Sequence, residues 1–172
     1  MTKPAPLILT LAMDERSFAF FDEQRRRYFP PERNFIPAHL TLFHRLPGDQ
    51  TEAVRLKLEQ RSAEQSCFPL DVTGLRSLGR GVAYTLHAPE LAALRESLAQ
   101  HWLQWLTPQD RQKHQPHVTI QNNVDAEKAR RLLVELQAGF NPRQVRAQGL
   151  DLWRYLGGPW ELIRHYPFAA DQ

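Results

Sequence analysis

Two short stretches, Pro37-Ala38-His39-Leu40-Thr41-Leu42-Phe43 and Gln115-Pro116-His117-Val118-Thr119-Ile120-Gln121, decide how this chain is read. Each carries a His-x-Thr triplet in a run that alternates polar and apolar residues. In an extended strand successive side chains point to opposite faces, so residues two apart share one. His39, Thr41 and Phe43 therefore share a face, with Leu40 and Leu42 on the other. His117, Thr119 and Gln121 behave alike, and Val118 and Ile120 turn inward. The two histidines lie 78 positions apart, as do Leu78-Gly79 and Leu156-Gly157, while Gly74-Leu75 and Gly149-Leu150 are 75 apart. Near-equal offsets at unconnected places predict two copies of one unit. If a pseudo-two-fold axis relates the copies, their polar faces meet across one cleft holding two imidazoles and two hydroxyls.

Around these stretches the pattern predicts alternating strands and helices. Leu7–Met13 has the length of a buried strand. A helix over Asp14–Phe29 follows, capped by Asp14 and stopped by Pro30-Pro31. Phe35–Leu46 is a strand containing the first motif, and Thr51–Gln65 a helix. Phe68–Leu78 and Val82–His87 flank Gly79-Arg80-Gly81 as a hairpin. Pro89 opens a helix whose stripe Leu91, Leu94, Leu98, Trp102 and Trp105 belongs to the core. Thr107–Pro116 reads as a polar loop and His117–Asn122 as a strand. Asp125 caps a helix over Ala126–Gln137, with Gly139 just past its end. Val145–Leu156 and Trp160–Phe168 form the last strand pair.

Composition narrows the class. The 172 residues suit one two-lobed domain spanning 1–172, with 42% apolar and 24% charged residues as in ordinary globular proteins. Cys67 is the single cysteine, which excludes an intrachain disulfide framework and a four-cysteine zinc site. No apolar run approaches the 18 or so residues of a membrane span. Leu7–Met13 is too short for a secretory leader and runs straight into Asp14-Glu15-Arg16, so a cytoplasmic protein is expected. The net charge is +3, carried by 18 Arg and 4 Lys. Arginine's planar fork of donors gives a slight lean toward anionic ligands.

Two histidines suit a reaction in which one proton is removed and another delivered. The imidazole titrates near pH 6.5, so one ring can be neutral and act as general base while the other is charged and acts as general acid. Phosphodiester cleavage has this need: the attacking oxygen loses a proton and the departing oxygen gains one. Thr41 and Thr119 can donate to the nonbridging oxygens as charge builds there. The scheme requires no metal and no cofactor. Equivalent motifs leave open which ring is base and which is acid.

Three strings resemble one family. Phe35-Ile36-Pro37-Ala38-His39-Leu40-Thr41-Leu42-Phe43, Gln115-Pro116-His117-Val118-Thr119-Ile120-Gln121-Asn122 and Leu156-Gly157-Gly158-Pro159-Trp160-Glu161 are similar to the two-histidine (2H) phosphoesterase superfamily. Within it they are closest to the bacterial 2′-5′ RNA ligase-like branch. The resemblance implies an α+β fold of two pseudo-symmetric lobes, with antiparallel sheets lining a central cleft and helices outside. It implies metal-independent cleavage of 2′,3′-cyclic phosphates or 2′,5′-linked nucleotides, with reversible ligation. RNA with cyclic-phosphate ends or small cyclic nucleotides would be the partners of a monomeric enzyme. The positions carried over are His39, Thr41, His117 and Thr119. Many members have a basic residue shortly after the second motif, where this chain has Gln121-Asn122-Asn123. That departure leaves room for a non-catalytic module that binds phosphorylated RNA ends.

Further candidates surround the motifs. Phe43, extending the first face, reads first as packing and second as a candidate for base stacking, and Gln121 extends the second. Arg76, Arg80 and Arg154, in or beside the hairpins, are candidate phosphate ligands. Arg111, Lys113 and His114 form a basic loop before the second motif. His114-x-x-His117 lacks the acidic or thiol partners of a metal pair. Tyr84, Tyr155 and Trp160 read as sheet packing, and His44, His87, His101 and His165 as structural or surface residues.

Overall fold

The computed structural model describes residues 3–170, so the outermost two positions at either end of the expected 1–172 domain lie outside the described residues. Strand β1, Leu7–Met13, leads into helix α1, Glu15–Tyr28. Asp14 caps it, accepting from the Ser17 N–H at 3.1 Å, and satisfies a donor that the first helical turn leaves free. Strand β2 is Leu40–Leu46 and helix α2 is Thr51–Ala63. The hairpin of β3, Phe68–Ser77, and β4, Val82–His87, follows. Helix α3, Pro89–His101, buries Leu91, Leu94 and Leu98 along its apolar stripe. Then come α4, Pro108–Arg111, β5, His117–Gln121, and α5, Ala126–Ala138. Strands β6, Arg143–Tyr155, and β7, Trp160–Pro167, complete the described chain.

Two sequence expectations need adjusting. The strand expected from Phe35 begins only at Leu40; Pro37 supplies no N–H for a ladder and restricts the residue before it. The expected loop Thr107–Pro116 contains α4, because Thr107 caps it by accepting from the Asp110 N–H and Pro108 sits at its first position, where proline's missing N–H does no harm.

The seven strands form one antiparallel sheet in the order β2-β1-β6-β3-β4-β5, with β7 on β6. Exchanging β1 with β4, β2 with β5 and β3 with β6 gives the same order read backwards. The Leu70–Val145 pair sits at the centre of that exchange, flanked by Phe68–Ala147 and Val72–Arg143. Strand β6 serves both halves: its first residues pair with β3, and the rest run between β1 and β7. The two antiparallel sheets expected from the resemblance are thus continuous through one long strand.

The end strands β2 and β5 nevertheless approach each other, so the sheet curls around a cleft. Helix α1 packs against β5, α5 against β3 and β4, and α2 against β6 and β7. Inward residues of both halves, such as Leu40, Leu42, Val118, Ile120 and Leu150, join one hydrophobic cluster. No helix among the described residues is long and apolar enough to cross a membrane.

Candidate active site

Matching bulges shape the two motif strands. Thr41 pairs with Thr10 and Phe43 with Leu9, so β2 carries one residue more than its partner at this point. Thr119 pairs with Ala83 and Gln121 with Val82, so β5 does the same. An extra residue re-aims the side chains beyond it. Strict alternation puts Phe43 and Gln121 on the cleft face; the bulges turn both inward, to 0% and 2% exposure. Phe43 meets the ring of Trp102 edge-on and lies under the Arg95 guanidinium, 4.0 Å from its centroid. It is a core residue and offers no face to a base. His44 takes the place on the cleft wall expected for Phe43.

His39, Thr41, His117 and Thr119 line one cleft of about 290 Å³, together with His44 and Trp160. Each motif histidine is oriented by the main chain two residues before it. His39 Nδ1 lies 2.9 Å from the Pro37 carbonyl and His117 Nδ1 2.8 Å from that of Gln115. A carbonyl oxygen only accepts, so each Nδ1 carries the hydrogen and each Nε2 is left for chemistry. The rings thus have matching tautomers fixed by matching bonds.

The electrostatics favour neutral rings. Burial pushes His39 down to about 4, and the positive charges of Arg25, His117 and His44 add to it. Burial also lowers His117, helped by Arg76 and His44. His114 is lowered to about 4, first by burial and then by Arg95, His117 and His44. Its Nε2 donates to the Thr41 carbonyl at 2.9 Å.

Because β2 and β5 end the sheet, each has an outer edge without a strand partner, and buried arginines satisfy those edges. Arg25 donates to the Thr119 carbonyl at 3.0 Å and to Asn34 Oδ1 at 2.9 Å, with its guanidinium over the Phe29 ring. Burial lowers its pKa to about 10, which leaves it charged at neutral pH. Arg95 donates to the Leu42 and Asp110 carbonyls, both at 2.7 Å. The Asp110 carboxylate accepts the backbone N–H groups of His44 and Arg45 and lies 3.1 Å from His44 Nδ1. Burial alone would raise Asp110, but these hydrogen bonds outweigh it and hold the carboxyl below its usual range.

Two further hollows adjoin the cleft. Beyond His39 lies an aromatic groove of about 350 Å³, walled by Phe18, Phe35, Ile36, Trp153 and Trp160. Beyond His117 lies a basic pocket of about 470 Å³ with Arg76, Lys113 and His114.

The predicted arginines divide. Arg76 donates to Gln115 Oε1 at 2.9 Å and lines the basic pocket. Arg80 instead ties its hairpin to the Val124 carbonyl, and Arg154 pairs with Glu161 at 2.8 Å. Neither lines the cleft. Trp160, read as packing, stands 4.7 Å from the His39 ring and walls both the cleft and the groove. Sequence reasoning also misses His44 as a cleft residue. The break in alternation at Leu42-Phe43, two apolar residues in succession before His44-Arg45, is the signal that carries it. Among the remaining histidines, His165 pairs with Asp151 at 2.6 Å. Among the described residues no group of three or more His, Cys, Asp or Glu side chains is placed to hold a metal ion.

This architecture has relatives among solved structures. TT0787 of Thermus thermophilus superposes with a TM-score of 0.67 at 14% identity, covering 97% of this chain and 100% of that one. Escherichia coli LigT, complexed with 3′-AMP, gives 0.63 at 19% identity, covering 97% and 99%. Usb1 of Kluyveromyces marxianus, with uridine monophosphate, gives 0.50 at 12% identity, covering 96% and 99%. At these identities the likeness concerns the fold. No curated protein sequence matches. The sequence profile of the 2′-5′ RNA ligase superfamily matches residues 13–159. With that match over most of its length and the LigT-like fold, the chain belongs to the 2′-5′ RNA ligase superfamily, among the 2H phosphoesterases.

Proposed function

We propose that the chain is a metal-independent phosphoesterase that hydrolyses 2′,3′-cyclic phosphates at RNA ends or in small nucleotides, or cleaves 2′,5′ linkages. The observation that carries the reading is the pair of motif histidines on one cleft, each with Nδ1 committed to a backbone carbonyl and Nε2 free. A neutral Nε2 removes a proton from the attacking water, and a protonated Nε2 delivers one to the departing ribose oxygen. His39, held neutral at physiological pH, takes the part of base, and His117, the less strongly shifted ring, that of acid. Thr41 and Thr119 donate to the nonbridging oxygens. With a 5′-hydroxyl in place of the water, the same groups form a 2′,5′ linkage as the ribose oxygen leaves; in reverse the neighbouring ribose hydroxyl attacks, the 5′ oxygen takes the proton, and the linkage is cleaved. That LigT was crystallised with 3′-AMP and with phosphate supports a nucleotide phosphate as ligand.

The test is turnover of a 2′,3′-cyclic nucleotide by chelator-treated protein. His39→Ala and His117→Ala should each lower kcat by about 10²–10⁴. Full activity in either variant would sink the two-histidine mechanism. The uncharged Gln121-Asn122-Asn123 segment favours a second reading, a module that binds phosphorylated RNA ends without cleaving them. Tight binding with no turnover across cyclic and 2′,5′-linked substrates would select it.

A further inference from the structure

His44 lies outside both His-x-Thr motifs, yet it borders the cleft alongside His39, Thr41, His117 and Thr119. It also borders the basic pocket with Arg76 and His114. It is therefore the imidazole at the junction of the two spaces. Its backbone N–H is fixed to the Asp110 carboxylate at 2.9 and 3.0 Å, and its Nδ1 is 3.1 Å from Asp110 Oδ1. Asp110 is 1% exposed, whereas the His44 side chain is 41% exposed. A buried carboxylate thus grips one ring nitrogen and the other faces the open side. The β2 bulge that buries Phe43 is what delivers His44 to this wall.

We propose that His44 is a phosphate-binding residue of this site: its Nε2–H donates to a nonbridging oxygen of the bound phosphoryl group, with Asp110 holding the ring. The inference rests on the phosphoesterase reading only for the identity of the anion. An arriving phosphate offers acceptors, so the contact requires the doubly protonated ring, and the carboxylate behind it neutralises that charge. The segment after the second motif offers Asn122 and Asn123; the segment after the first offers His44 and Arg45. Donors able to carry charge thus follow the first motif and not the second.

The experiment measures binding of inorganic phosphate by calorimetry at pH 7, and in parallel kcat/KM on a 2′,3′-cyclic nucleotide. The proteins are the parent, His44→Gln, His44→Arg, Arg45→Gln and His39→Ala, each with its melting temperature recorded. His44→Gln should weaken phosphate binding about 10- to 100-fold, the range for a hydrogen bond to a charged group. His44→Arg, which restores a cationic donor, should recover most of it. Unchanged phosphate affinity in His44→Gln overturns the proposal, as does a loss confined to Arg45→Gln or a parent that binds no phosphate. If the parent binds phosphate through His44 but turns over no substrate, the phosphoesterase reading fails and His44 keeps its role. If the parent turns over, His39→Ala is dead and His44→Gln matches the parent in both measurements, the reading stands and His44 is excluded.

Discussion

Arg25 of α1 and Thr119 of β5 are joined by a 3.0 Å hydrogen bond from guanidinium to carbonyl, between residues 94 apart in sequence. The helix belongs to the first half of the chain and the strand to the second. Arg95 of α3 makes the reciprocal bond to Leu42 of β2. Each motif strand is therefore pinned by a cation from a helix of the other half.

Removing one pin should be felt twice. Arg25→Met leaves the Thr119 carbonyl and Asn34 without their donor, a loss of about 2 kcal/mol by the usual penalty for stranded buried groups. It should also lower kcat/KM, because Thr119 moves with its strand. Urea unfolding measures the first effect and a cyclic-nucleotide assay the second. A stability change under about 0.5 kcal/mol, the scale of ordinary surface substitutions, would show that the bond does not hold the halves together.

The shifted imidazoles set a pH profile. A base must be deprotonated, so with His39 at about 4 the acid limb of kcat/KM lies far below neutrality. An acid must be protonated, and with His117 below its ordinary value the alkaline limb falls below about 6.5, the ordinary histidine value. The optimum of kcat/KM is expected between these limits. An optimum above pH 7.5 would contradict the roles assigned to the two rings.

Stability should fall in the same window. His114 binds its proton more weakly folded, at about 4, than unfolded. Between about 4 and 6.5 the unfolded chain holds more protons, so stability is full above 6.5 and declines as pH drops toward 4. Each such ring contributes about 3 kcal/mol at most. His114→Gln, which can still donate to Thr41, should flatten the decline when denaturation midpoints are compared from pH 4.5 to 7.5. Identical slopes would assign the acid sensitivity to other groups.

Trp160 walls both the cleft and the aromatic groove, 4.7 Å from His39. Trp160→Ala should raise KM for a cyclic nucleotide about tenfold, with a smaller change in kcat, since stacking a base on an aromatic contributes about 1–3 kcal/mol. Nucleotide binding should quench tryptophan fluorescence in the parent and quench it less in the variant. An unchanged KM would return Trp160 to a packing role.

Gly81 sits in the β3–β4 turn where a Cβ would lie 2.0 Å from the Gln121 carbonyl oxygen and 2.6 Å from Asn122 Cα. Both are backbone and have little room to yield. Gly81→Ala should destabilise the fold by about 1–3 kcal/mol, as overpacking does, and should shift the end of β5. Thermal melts and amide exchange in β5 would reveal this; an unperturbed β5 would count against so close an approach.

Much of this architecture is legible in the sequence. Asp14, Asp125 and Pro89 mark helix starts, and alternation around Leu40 and Val118 marks strands with one inward face. Alternation misleads after Thr41 and Thr119, because a bulge is a property of two strands together. The partner residues Leu9-Thr10 and Val82-Ala83 carry no local sign that each pair will face three residues rather than two. Alternation therefore puts Phe43 and Gln121 in the cleft and leaves His44 out, and on the motif strand itself only the adjacent apolar pair Leu42-Phe43 before His44-Arg45 points the other way. Trp160 is hidden differently: only the pairing of β6 with β7 brings residue 160 to a histidine at position 39.

The shared strand β6 also governs how the molecule comes apart. A cut in the Leu78–Gly81 turn separates two chains, neither of which can close its half alone: β1 and β3 would lose the strand between them, and β4–β5 would lose β3. Co-expressed fragments should regain shape only by complementation. Melting should then be one cooperative event, with loss of either portion taking the other with it.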